Sequence, residues 1–319
     1  MKSLSFICGF ALPLFVTGCS TLGKSTELHF NWGAPQRFQV VEMVQKKENE
    51  MQIVHECELD QTNNEFALRW LGAKIVEVNG AKVGDSEEWK QAIKLIAESF
   101  SYPTFRIKSN GEFIETISPE ESVKKVDQML DMIVTNRAAD NRKFFAKFGE
   151  TDAGRRMLNQ AFGQIWQTWV ETWVGVDLAA GETESYTGKV PLAQAGELPV
   201  TEKITNLGIM KPDKNLLNLK CEQELSATNF LGAMNSLNEE TGKETGIKGA
   251  GPLTNECSIH RLTTLEVHTE RQTLRPHWAK QTIQTAITAS GEQIGTELEV
   301  HEYNFQWDIK NTSERNKQP

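Results

Sequence analysis

The residues best suited to metal binding or nucleophilic chemistry are six histidines and five cysteines. Two close groupings exist, His55-Glu56-Cys57 and Cys257-x-x-His260. A tetrahedral zinc site takes four ligands, so the two groupings would have to converge or recruit more ligands to make one. His268, His277 and His301 fall in the last third of the chain, where they could adjoin across strands. Glu56/Glu58 and Glu297/Glu299 are spaced i, i+2, which puts each pair on one face of a strand and reads as a solvated face. Neither GxSxG nor HExxH occurs in the chain. The expectation is a non-enzymatic protein with no catalytic residue, no metal ligand set and no cofactor.

Two glycine patterns invite a nucleotide reading and fail on context. Gly18-Cys19-Ser20-Thr21-Leu22-Gly23-Lys24-Ser25 has the spacing GxxxxGK[ST]. A phosphate cradle needs a strand before it and a helix after it, whereas here an apolar leader precedes and an extended Leu28-His29-Phe30 follows. Gly246-x-x-Gly249-x-Gly251 lacks the same setting and reads as an exposed loop. Among the cysteines, Cys221 and Cys257 could bridge the intervening excursion, for ~4 kcal/mol of loop-closure stabilisation. With Cys57 they could equally be unpaired thiols in strands.

The elements that must position these residues follow from hydrophobic period. Phe38–Gln45 and Met51–Leu59 form a hairpin around 46–50, and Phe66–Val78 ends in Asn79-Gly80, the strongest short hairpin signal. Asp85-Ser86-Glu87-Glu88 caps a helix carrying Trp89, Ile93, Ile96 and Phe100. Thr104–Lys108 and Glu112–Ile117 flank Asn110-Gly111, and Ser118-Pro119-Glu120-Glu121 starts another helix. From Asp152 to Val174 apolar pairs recur every four residues, giving one long amphipathic helix with Trp166, Trp169 and Trp173 on its apolar stripe. Strands follow at Ser185–Leu192, Leu198–Thr205 and Leu216–Leu225, with a short helix at Ala227–Asn238. A meander of Cys257–His268, His277–Ala289 and Gly295–Ile309 closes the chain, its last strand apolar on one face through Tyr303, Phe305 and Trp307. The fold expected is α+β: mainly antiparallel sheets with covering helices, in two halves joined by the long helix. Its parts are a leader (1–18), a tether (19–27), an N-terminal half (28–150), the connecting helix (151–180), a β-rich C-terminal half (181–310) and a polar tail (311–319).

At 319 residues, 39% hydrophobic and 24% charged, the composition is globular. A formal charge of -9 disfavours nucleic acid as a partner. Lys2 followed by the apolar run Leu4–Val16 has the layout of a secretory signal and is too short to span a bilayer.

Val16-Thr17-Gly18-Cys19 resembles the lipobox of bacterial lipoproteins. The resemblance implies acylation of Cys19, cleavage before it and a membrane partner reached through N-terminal lipid. Ser20, where the inner-membrane retention signal has Asp, implies the outer membrane, facing the periplasm. Tether, meanders and tryptophan stripe together resemble the LolA/LolB group, whose curved half-barrel holds acyl chains. That likeness implies a hydrophobic ligand or another envelope component. From the pattern itself, Trp166, Trp169, Trp173, Phe305 and Trp307 would line an apolar pocket if the sheet curves enough to leave a gap beneath the stripe, and would pack as core if it is flat. Ile75-Val76-Glu77-Val78-Asn79-Gly80-x-x-Val83, then the capped helix, then Thr104–Ile117, resembles the second half of a bacterial PDZ domain. It implies a peptide- or protein-interaction module or an envelope scaffold as the alternative.

Overall fold

The period-two alternation becomes, in a computed structural model of the chain, one antiparallel sheet of twelve strands among the described residues. Those residues are 27–83, 97, 102–125, 151–191, 197–210, 215–227, 257–289 and 292–307. The strands are β1 (Gln36–Lys46), β2 (Asn49–Thr62), β3 (Glu65–Val78), β4 (Ala81–Lys82), β5 (Thr104–Lys108) and β6 (Phe113–Ile117). They continue with β7 (Thr183–Pro191), β8 (Glu197–Ile209), β9 (Leu216–Ala227), β10 (Cys257–Glu270), β11 (Pro276–Ala289) and β12 (Glu292–Trp307). The order across the sheet is β6-β5-β3-β2-β1-β12-β11-β10-β9-β8-β7, with the short β4 beside β3.

This corrects the α+β expectation. The two halves do not carry separate sheets, because β1 pairs with β12 from Phe38↔Trp307 to Lys46↔Glu299. Two meanders thus become one ladder, closed by the pairing of the first strand with the last. The helix does not join two bodies either. It runs from Asp152 to Trp169 (α1), with the Thr151 hydroxyl accepting from Gly154 N at 2.9 Å as its N-cap. It stops at Val170, and a single 3-10 turn, Glu171–Trp173, follows. Trp173 therefore leaves the helical stripe that the four-residue spacing suggested.

Local signals hold where turn chemistry decides. Asn79 and Gly80 both have positive φ, at 51° and 75°, joining β3 to β4 through the mirror-image turn that suits strand twist. Gly111 turns β5 into β6 at φ 92°, and a Cβ there would meet Phe30 Cβ at 2.6 Å, so the turn is pressed under the core. Of the expected helices, residues 84–101 apart from Ala97, 126–150 and 228–256 lie outside the described residues, as do the leader, Cys19 and the tail.

The sheet curls around α1. Asn159 Oδ1 accepts from Thr116 N at 2.8 Å, Gly163 lies against Phe113, and Trp166 Nε1 donates to Gly111 O at 2.8 Å, so α1 runs alongside β6. The same helix packs against β10 and β11. Six steps of ~4.8 Å would hold β6 about 29 Å from β11 in a flat sheet, and a helix is only ~10 Å across. The strands must therefore bend into a trough with α1 inside it. Alternate residues face inward: Phe38, Val40, Glu42, Val44 and Lys46 on β1, and His55, Cys57 and Leu59 on β2.

Candidate binding site

Two environments share that inner face. Towards Phe38 and Trp307 it is aromatic. Phe38 stacks on Trp307 at 4.4 Å between ring centroids, Trp32 meets Trp307 at 4.9 Å and Trp166 at 5.2 Å, and Trp169 meets Phe305 at 4.9 Å. The five residues expected to line a pocket all belong to or pack against this one core cluster, with direct ring contacts Trp169–Phe305 and Phe305–Trp307. Trp166, Trp169 and Trp173 are wholly buried. Three indoles are pinned to backbone carbonyls: Trp166 to Gly111, Trp173 to Thr168 at 3.0 Å and Trp307 to Pro276 at 2.8 Å. Trp169 and Trp32 differ from these three, since the buried Nε1 of each has no partner.

Further along the same strands the face turns ionic. Glu42, on β1 between the apolar Val40 and Val44, is 0% exposed. His55 Nε2 reaches its Oε2 at 2.8 Å, and His301 Nδ1 reaches its Oε1 at 3.0 Å. The hydroxyls of Tyr102, at 3.2 Å, and Tyr303 add two more donors. His301 Nε2 lies 2.9 Å from Glu299 Oε1, whose second oxygen takes Lys46 Nζ at 3.1 Å. The belt has apolar neighbours on both sides: the aromatic cluster, and a smaller one of Val44, Met51, Ile53, Ile75 and Ala97.

These contacts fix the protonation states. Burial alone would raise the Glu42 carboxyl, but hydrogen bonds from His301 and His55 hold it well below the usual carboxylate range. Burial alone would likewise depress His301, yet with a carboxylate on each ring nitrogen it is held up at about 9 and is an imidazolium. Glu299, despite burial, is held at about 2 by His301 and Lys46. Glu42 is an acceptor only, so the His55 Nε2 must carry a proton. That leaves Nδ1, which is buried and unpartnered.

Three of the unpartnered atoms among the described residues sit at the junction of the two environments, while Trp32 Nε1 lies unpartnered inside the aromatic cluster. His55 meets Trp70 edge-on at 5.2 Å, and Trp70 meets Trp169 at 5.5 Å. Nε1 of both tryptophans is buried without a partner, as is His55 Nδ1. Each such atom costs ~1–3 kcal/mol while unsatisfied. Three neighbouring rings therefore present hydrogen-bonding atoms to the interior that no protein group meets.

The other sequence candidates do not join them. Cys57 is a free thiol two residues from His55 on the same face, but burial, reinforced by Glu56 and Glu42, pushes it well above its usual range, which makes it a poor nucleophile. Glu56 points outward, and His260 pairs with Glu224 at 2.8 Å on the exposed side, four strands from β2, so the two Cys/His groupings stay apart. His268 stacks on Trp278 at 4.4 Å and His277 meets Glu270 at 3.1 Å, leaving His301 as the member of that trio in the belt. Cys221 is also a free thiol; it faces Leu265, while Cys257 stands eight residues along β10, about 27 Å away. A disulfide needs Cα atoms within ~7 Å, so the Cys221–Cys257 bridge is ruled out.

Glu42 was not singled out by sequence, and Glu299 was read as solvated. The available signal was one of period: Phe38-x-Val40-x-Glu42-x-Val44 puts a carboxylate on an apolar face, and Glu299-x-His301-x-Tyr303-x-Phe305 continues a charged pair into an aromatic face.

The PDZ-like stretch forms β3 to β6 of the common sheet, where β6 is an end strand. Its outward amides are taken: Phe113 N donates to Glu171 Oε1 at 3.1 Å and Thr116 N to Asn159 Oδ1. An incoming peptide strand would have to displace both. No known protein-family model matches the chain, and no curated protein does.

Proposed function

We propose that this chain is a lipid-anchored envelope protein that binds, without catalysis, a hydrophobic ligand carrying a neutral polar head. The observation that carries the reading is the set of unpartnered nitrogens on His55, Trp70 and Trp169, where the aromatic packing gives way to the ionic belt. A hydroxyl both donates and accepts, so one head group of that kind can serve an imidazole nitrogen and an indole N–H together. Within the belt the two carboxylates are already met by cations, Glu42 by His301 and Glu299 by His301 and Lys46. The apolar part of the ligand would lie along Trp70, Tyr102, Trp169 and Phe305.

Catalysis is disfavoured by the same geometry. The His301 imidazolium is held between two carboxylates, Glu42 is too weak a base, and the neighbouring thiol of Cys57 stays protonated. The anchor reading rests on Val16–Cys19 and Ser20. No helix among the described residues is long and apolar enough to cross a membrane.

Two experiments test these parts. Cys19→Ala should abolish acylation and membrane fractionation, and unchanged fractionation contradicts the anchor. A brominated monoacylglycerol should quench tryptophan emission saturably, and its methyl-capped analogue should bind about tenfold more weakly, the loss expected for one hydrogen bond in a buried site. Absence of saturable quenching contradicts the ligand reading.

A further inference from the structure

The described chain enters the body at one end of the trough. Leu28 N donates to Val176 O at 3.1 Å and Gly175 N to Leu28 O at 2.8 Å, which fastens the entering segment to the stretch after the 3-10 turn. That stretch is in turn tied to the end of β8. Asn206 Nδ2 donates to Leu178 O at 2.7 Å, Gly181 N to Asn206 O at 2.7 Å, and a Cβ on Gly208 would touch Ala180 at 3.5 Å. The β10–β11 turn is at the same end, where Asn31 N donates to Thr273 O at 3.1 Å. Two large apolar side chains are left in solvent here, Leu207 at 50% exposed and Ile209 at 53%. Leu207 stands at the register shift where β8 leaves regular pairing with β9, so its exposure comes with a bulge at the strand end.

We propose that this end of the sheet, through Leu207 and Ile209, rests on the lipid bilayer that holds the N-terminal anchor. The inference rests on the anchor reading above. From Cys19 to Glu27 the chain can reach at most ~28 Å, and a body of this size is ~50 Å across. The leash is therefore too short to bring the opposite end of the trough to the membrane, and it holds the β8 end close. Exposed apolar side chains at that end meet a surface that can accept them, and burying the exposed halves of a leucine and an isoleucine is favourable. Leu298, 46% exposed, makes an internal contrast. It lies nine residues along β12 from Trp307, about 30 Å towards the far end.

The test uses the full acylated chain in phosphatidylethanolamine/phosphatidylglycerol vesicles with brominated acyl chains. One environment-sensitive fluorophore is placed at Leu207→Cys or Leu298→Cys, both in a Cys257→Ser background. Cys57 and Cys221 are buried with raised thiols and do not compete for label. Quenching should be at least threefold greater at position 207 than at 298. In the double variant L207D/I209D, an unlabelled chain should lose the vesicle-dependent amide protection of 206–210 that the unmodified chain shows. Equal quenching at the two positions, or an unmodified chain without such protection, overturns this inference while leaving the anchor intact. An unmodified chain that does not fractionate with membranes removes both.

Discussion

The aromatic end and the ionic belt lie on the same face of the same strands, yet they meet their polar obligations in opposite ways. At the aromatic end the indoles of Trp166, Trp173 and Trp307 hydrogen-bond to backbone carbonyls that the fold supplies, so the rings act as struts. In the belt every charged group is met by another side chain, and these come from strands far apart in sequence: Glu42 on β1, His55 on β2, Glu299 and His301 on β12. Between them His55, Trp70 and Trp169 keep one nitrogen each unmet, and at the aromatic end Trp32 is the indole that finds no carbonyl. Burial alone therefore does not separate a strut from a group free to meet a ligand. Trp166 and Trp169 are equally buried, three residues apart on one helix, and only the second has an atom to offer a ligand.

The largest effect is expected from breaking the belt. Glu42→Ala leaves the His301 imidazolium, His55 and two tyrosine hydroxyls without their common acceptor, and should cost ~3–5 kcal/mol in denaturant unfolding. Loss of less than 1 kcal/mol would mean the belt is hydrated and weakly coupled.

The belt also sets a pH profile that the aromatic end lacks. His301, raised to about 9, contributes stability that is complete below its ordinary ~6.5 and is lost as pH rises through 9. Glu299, held at about 2, contributes above ~4.5 and is lost as pH falls through 2. Burial pushes Glu171, on the 3-10 turn against β6, up to about 7, so its ionisation also destabilises the fold as pH rises. Tm should therefore peak between about pH 4.5 and 6.5 and fall by several degrees by pH 9. His301→Gln should flatten the alkaline side, and an unchanged slope in that variant would assign it elsewhere.

Two smaller substitutions separate Trp166 from Trp169 on one helix. Trp166→Phe removes the donor to Gly111 O and should cost ~1–3 kcal/mol. Trp169→Phe removes an N–H that bonds to no protein group, so it should change stability by less than ~1 kcal/mol while weakening the binding of a hydroxyl-bearing ligand. If the two cost the same in thermal unfolding and in probe binding, the division between strut and site fails.

Much of the fold was legible because its signals are local. Alternation fixed the strands, and Asn79-Gly80 and Asn110-Gly111 fixed turns whose positive φ the chain requires. The long helix was legible as far as Trp169; its end at Val170 carries no glycine or proline signal. The pairing of β1 with β12 was not legible, since no local pattern tells a strand which partner more than 250 residues away completes its ladder. That missing link is why two halves were expected in place of one trough. The site was hidden for the same reason. Glu42 carries no signal in its own strand, and His55, Glu299 and His301 were noted there only in other groupings; the pairing of β1 with β2 and β12 is what brings two carboxylates and two imidazoles together.

On the proposed reading the junction at His55, Trp70 and Trp169 holds a ligand. The most direct test is native mass spectrometry with lipid extraction, on the chain beginning at Glu27 and purified from periplasm under mild conditions. A reproducible bound mass, extractable as a neutral hydroxyl-bearing amphiphile and diminished by Trp169→Phe, is the predicted result. A clean apo mass for the unmodified chain, unchanged after incubation with such amphiphiles, would contradict the claim and leave the three nitrogens to buried water.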